Sequence, residues 1–112
     1  MRMPQNRSDT IKRFIGIASN VVIHRVLLQS ALSEESKKYY EREISRDIAI
    51  ASTYRDQINP RDRPPSDATE IKNRILKNVT NELQNRKQKG YDVEMQLIVL
   101  EAEDFLNRLK IT

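Results

Sequence analysis

The stretch that decides the fold is Asp9 to Leu32, DTIKRFIGIASNVVIHRVLLQSAL. Ile11, Phe14, Ile15, Ala18, Val21, Val22, Val26 and Leu32 recur in helical steps. At about 100° per residue they form one broad apolar stripe. Two features complicate the stripe. Arg25 and Gln29 fall inside it, where a guanidinium without a partner costs several kcal/mol. Ile23, Leu27 and Ala31 form a second apolar set rotated away from it.

Moving outward, the same periodicity recurs three more times and strand-like alternation is absent. Ser8 or Asp9 is placed to cap a first helix over 9–32, and Ser33 a second over 34–58. The loop 59–67, NPRDRPPSD, follows, because Pro64-Pro65 cannot lie inside a helix. Asp67 and Glu70 have capping-box spacing and open a third helix over 68–89, carrying Ala68, Ile71, Ile75, Val79 and Leu83. Gly90 suits a helix C′ position, and Asp92 a cap for a fourth helix over 93–110. Its apolar face is Met95, Ile98, Val99, Ala102, Phe105, Leu106 and Leu109. Short connections predict an all-α, antiparallel up-down four-helix bundle in a single domain spanning 1–112.

Composition narrows the function. The 112 residues are 38% hydrophobic and 32% charged, with net charge +4, no cysteine and one histidine. That excludes disulfides, thiolate chemistry and any site needing two imidazoles. No apolar run approaches the roughly 20 residues of a membrane span. The N-terminal MRMPQNRSDT lacks the apolar core of a secretion signal, so the expected location is the cytoplasm. Phosphate-binding glycine patterns are missing, since Gly16 and Gly90 stand alone. Glu101 and Asp104, three apart, make only a weak acid–base or metal pair with no Glu-x-x-His partner. The expectation is a protein that is not an enzyme and uses no cofactor or metal.

Three binding readings follow. A small four-helix domain has no central position, so a helix apolar on two sides implies a second molecule. Helix four repeats the pattern with Val93, Leu97, Leu100 and Ile111. The candidate interface is therefore Ile23, Leu27, Ala31, Leu97, Leu100 and Ile111, in a homo-oligomer with a dimer as the default. The function predicted first is a self-associating scaffold, adaptor or assembly subunit, with a further protein partner possible. The plain counter-reading is that scattered surface leucines are ordinary.

Charge supplies the second reading. Residues 67–90 carry six bases and three acids (+3), whereas 91–112 carry two bases and five acids (−3). Arg74, Lys77, Asn81, Arg86, Lys87 and Lys89 could contact a nucleic acid, as in an accessory protein with a basic third helix. A solvated helix packed beside an acidic neighbour accounts for the same charges. The third reading is a buried polar cluster of Arg25, Gln29, Asp47 and Arg55. It would be either a register-fixing Arg25–Asp47 pair or a small-anion site using guanidinium geometry.

Overall fold

The computed structural model describes residues 6–61 and 63–112. Residue 62, within the expected loop, and residues 1–5, within the stretch read for a secretion signal, lie outside the described residues. Four helices and no strands are present among them: α1 (Arg7–Ser30), α2 (Glu34–Ile58), α3 (Ala68–Gln88) and α4 (Leu97–Arg108). Among the described residues no helix is long and apolar enough to cross a membrane.

The core is built around α1. It packs against α2, α3 and α4, while among the helices the backbone of α2 lies close to that of α1 alone. Eleven of its residues are buried, and they include Val21, Val22 and Val26 of the stripe as well as Ile23 and Leu27 of the second set. The expectation that so small a domain has no central position is therefore corrected. With neighbours on three sides, α1 hides both apolar sets inside one chain as far as Leu27, while Ala31 is half-buried and Leu32, past the helix end, is exposed. Facing them are Ile71, Ile75, Val79 and Leu83 of α3 and Ile98, Ala102, Phe105 and Leu106 of α4. From α2 come only Ala51 and Ile58 among fully buried apolar residues, helped by Tyr40, Ile44 and Tyr54 at its edge.

Helix ends follow local hydrogen-bond chemistry, with two departures from expectation. Asn6, not Ser8 or Asp9, caps α1, its Oδ1 accepting from the Asp9 N–H at 2.8 Å. Ser33 caps α2 as expected, accepting the Ser36 N–H at 3.0 Å. Asp67 precedes α3 but makes no side-chain cap. Its carboxylate instead holds Arg7 at 2.9 Å, while Arg7 also donates to the Ile58 carbonyl at 2.6 Å. The first turn of α1 thus meets the end of α2 and the start of α3. The second departure is α4, which starts at Leu97 rather than 93. Residues 91–96 form a connecting segment that buries Val93, and Asp92 caps nothing.

Both α3 and α4 end in the same wrapped turn. After α3, Gly90 has φ +97°, Gly90 N–H donates to Lys87 O and Tyr91 N–H to Arg86 O, each at 3.1 Å. After α4 the equivalent bonds run from Lys110 to Asn107 O (3.1 Å) and from Ile111 to Leu106 O (2.9 Å). These are the paired bonds of a Schellman turn, which folds the second residue past the cap back onto the helix. Ile111 is consequently fully buried in the chain's own core. It is not a surface residue as the interface reading required.

The second turn is the costlier one, because Lys110 takes φ +60°, a left-handed conformation that its Cβ disfavours. Lys110→Gly is expected to raise stability by about 0.5–1 kcal/mol, the relief of that strain less the added freedom of the unfolded glycine. Urea unfolding of the two proteins checks this, and an unchanged or lowered midpoint would contradict it.

Candidate functional site

The polar residues expected to cluster are instead distributed over three places. Arg25 is held by α4: its Nε lies 2.9 Å from Glu101 and its Nη2 2.6 Å from Asp104. The pairing with Asp47 is corrected. Glu101 and Asp104, one turn apart, project to the same side of α4 and receive the guanidinium between them. That i,i+3 acid pair was visible in the sequence, but its partner was not, because the angular position of α4 around α1 is a tertiary fact. Asp104 also accepts from Arg108 at 2.8 Å. Hydrogen bonds from Arg25 and then Arg108 hold its carboxyl below the usual carboxylate range.

Gln29 is exposed and joins none of this. Arg55 is buried and serves two helix ends, with Nε donating to Leu109 O and Nη1 to Asn59 O at 3.1 Å. A cation at the C-terminal carbonyls of both α2 and α4 offsets their partial negative charge. Asp47 is buried beside Arg46, whose Nε stands 3.3 Å away. With its guanidinium engaged by two carboxylates, Arg25 presents no free charge to a small anion. Among the described residues no group of acidic or histidine side chains is placed to hold a metal.

The interface candidates divide by burial. Ile23, Leu27 and Ile111 are core residues, and Leu97 and Ala31 are half-buried. Leu100 is open to solvent at 61% exposure, and beside it Val99 at 51%. The other large exposed apolar side chains among the described residues are Leu32, Tyr39, Ile48, Ile50 and Tyr91. Leu32, at 95%, and Tyr39 flank the α1–α2 connection, and Tyr91 follows the end of α3. Leu32 and Tyr91 line one concavity of about 390 Å³, together with Leu27, Ser30, Tyr40 and Asp92.

On α3 the candidate residues Arg74, Lys77, Asn81, Lys87 and Lys89 are all exposed. Arg86 is half-buried and paired with Glu82 at 3.0 Å. Lys72 bridges to Glu103 of α4 at 2.8 Å, the single ion pair between basic α3 and acidic α4 among the described residues. Arg74, Lys77, Lys87 and Lys89 make no ion pair there.

Sequence reasoning did not anticipate an aromatic knot around His24. Its ring centroid lies 5.7 Å from that of Tyr40 and 6.3 Å from that of Tyr39, and the tyrosines meet edge-on at 5.5 Å. His24 Nδ1 is buried with no hydrogen-bond partner among the described residues. Loss of hydration pushes the imidazole below its ordinary value of 6.5; Asp47 and Glu43 oppose this, and Arg86 and Arg46 add to it.

The unfolded chain therefore takes up the proton at a higher pH than the folded one. This contribution to stability is complete above about pH 6.5 and declines as the pH falls toward the folded value. Wild type is expected to lose unfolding free energy between pH 7.5 and 5.5, and His24→Gln to lose less over that range. Equal losses, measured by urea titration at each pH, would contradict it. Comparison with protein-family models, curated proteins and solved structures finds no match to this chain.

Proposed function

We propose that the chain is a non-enzymatic helical interaction module that self-associates through exposed apolar side chains, Leu32, Tyr91, Val99 and Leu100. One observation supports the reading: Leu32 and Tyr91 are exposed around one concavity, and Val99 and Leu100 are exposed side by side on α4. Singly exposed leucines are ordinary, whereas exposed apolar side chains grouped in one region mark contact sites. The interface of this proposal keeps Leu100 and half-buried Leu97, adds Val99, and releases Ile23, Leu27 and Ile111 to the core. An alternating up-down course of the helices belongs to the same reading, supported by the contacts of Arg7 with Ile58 and Asp67.

Sedimentation equilibrium tests it. Wild type is expected to exceed the 13.1 kDa monomer mass, and Val99→Glu with Leu100→Glu to return it to monomer. An unchanged mass in the double variant would end the proposal, and circular dichroism separates this from unfolding.

A second reading has its own observation. Arg74, Lys77, Lys87 and Lys89 are exposed cations without carboxylate partners among the described residues, interleaved with Asn81, Gln84 and Gln88 on one helix. Such a face suits a phosphate backbone, with amides in reach of base edges. If so, duplex DNA or RNA binds at low salt, affinity falls steeply with added salt, and Lys77→Glu lowers both affinity and salt slope. Anisotropy titrations without binding at 20 mM salt, a level at about the low end of screening, would exclude it.

A further inference from the structure

We infer that α1 shares with α3 the binding of a nucleic-acid duplex, and that Gly16 is where a phosphate backbone comes closest to the protein. The inference rests on the nucleic-acid reading above and extends it from one helix to two. Gly16 is a residue that the fold does not need. It lies inside the 24-residue α1, where glycine is the poorest helix former after proline. It is exposed, and a Cβ built on it would meet nothing within 4 Å. Neither packing nor backbone conformation calls for glycine there. A partner that must approach the helix backbone closely does.

The residues around Gly16 indicate what that partner carries. Lys12 and Asn20 stand one turn to either side of it, with Arg13 next to Lys12. This strip of α1 borders α3. Ser8, one turn before Lys12, shares a concavity with Arg74, and Ser19, three residues past Gly16, meets Asn78 at 3.5 Å. Lys12, Arg13, Arg74 and Lys77 are all exposed and hold no carboxylate among the described residues. The open acids of the two helices, Asp9 and Glu70, sit in first turns, where the positive ends of the helix dipoles offset them. Glu82, the remaining acid on either helix, is held by Arg86.

Polyanionic partners differ in what else they need. A membrane surface or an acidic protein needs apolar side chains to bury beside the cations. None of the large exposed apolar residues among the described residues lies on α1 or α3. A single strand needs aromatic faces on which its bases stack. α3 has no aromatic residue, and on α1 Phe14 is buried while His24 packs against the tyrosines of α2. A duplex needs neither. It offers phosphates to the cations of both helices, and groove edges and sugars to amides such as Asn20 and Asn81.

Gly16→Leu in the full chain tests this, because stability and binding are expected to move in opposite directions. The urea midpoint rises, since leucine is the better helix former and the space is open. Duplex affinity, read by anisotropy at low salt, falls about tenfold or more as phosphate contacts are lost. Lys12→Ala with Arg13→Ala is expected to reduce the slope of log affinity against log salt by about two. A higher midpoint with unchanged affinity, and an unchanged slope in the double variant, would overturn the inference; Lys77→Glu weakening binding in that case leaves the α3 reading standing. Tighter binding of single strands, or of phosphatidylserine vesicles, than of duplex would overturn the choice of ligand. If wild type binds no duplex at low salt, this inference and the reading beneath it fall together.

Discussion

A helix that carries apolar side chains around most of its circumference can be hidden only by neighbours on several sides, and α1 is such a helix. Val21, Val22 and Ile23 are consecutive and all buried, as are Val26 and Leu27. Consecutive residues differ in direction by about 100°, so no single neighbour could cover them. α2, α3 and α4 are each shaped by that demand: α3 and α4 contribute narrow apolar faces, and α2 closes what remains. Full burial of a Val or Ile contributes about 1.5–3 kcal/mol. A domain held by a margin of about 5–15 kcal/mol cannot leave this helix half covered.

The polar contacts then fix how the neighbours sit on α1. Arg25 ties α4 at Glu101 and Asp104, Arg7 ties the α2–α3 connection, and Arg55 joins the ends of α2 and α4. Each is a guanidinium that reaches more than one acceptor, which specifies orientation as well as distance. Arg25 and Arg55 keep little solvent, so removing a partner strands a desolvated charge. Apolar burial by itself tolerates sliding and rotation. These contacts are what make one arrangement of α4 about α1 better than its alternatives.

The sequence discloses what depends on neighbours along the chain and conceals what depends on neighbours in space. Four helices, the Ser33 cap and the stop at Gly90 were all legible, since each follows from residues within one turn. The α4 start was misjudged because Asp92 looks like a cap, while burial of Val93 in an extended segment is a tertiary matter. The same limit explains the interface residues. Ile23 and Leu27 read as a second surface on the premise that a small bundle lacks an interior helix, and that premise concerns topology, not sequence. Ile111 was lost to a backbone turn that needed a lysine at φ +60°, which no pattern of residue types announces. Arg25 stands out in the sequence as a charge inside an apolar stripe that needs a partner. The partner lay 76 and 79 residues away along the chain, at Glu101 and Asp104.

With α1 satisfied from within, the grease left over shifts in meaning. A second copy was first required to hide α1, and that requirement disappears once α1 is central. The large apolar side chains that remain exposed among the described residues are Leu32, Tyr39, Ile48, Ile50, Tyr91, Val99 and Leu100, none of them in the core. α2 is unusual in the same direction: it is 25 residues long yet buries only Asp47, Ala51, Arg55 and Ile58. Its first half keeps every residue at least partly open and rests on α1 through Tyr40, Ile44 and the His24 ring. Two of the most exposed apolar residues, Leu32 and Tyr91, border this least supported part of the fold, around a concavity shared with Ser36 and Tyr40. Their exposure is therefore a property of the surface, separate from the burial demand of α1 that organises the rest of the fold.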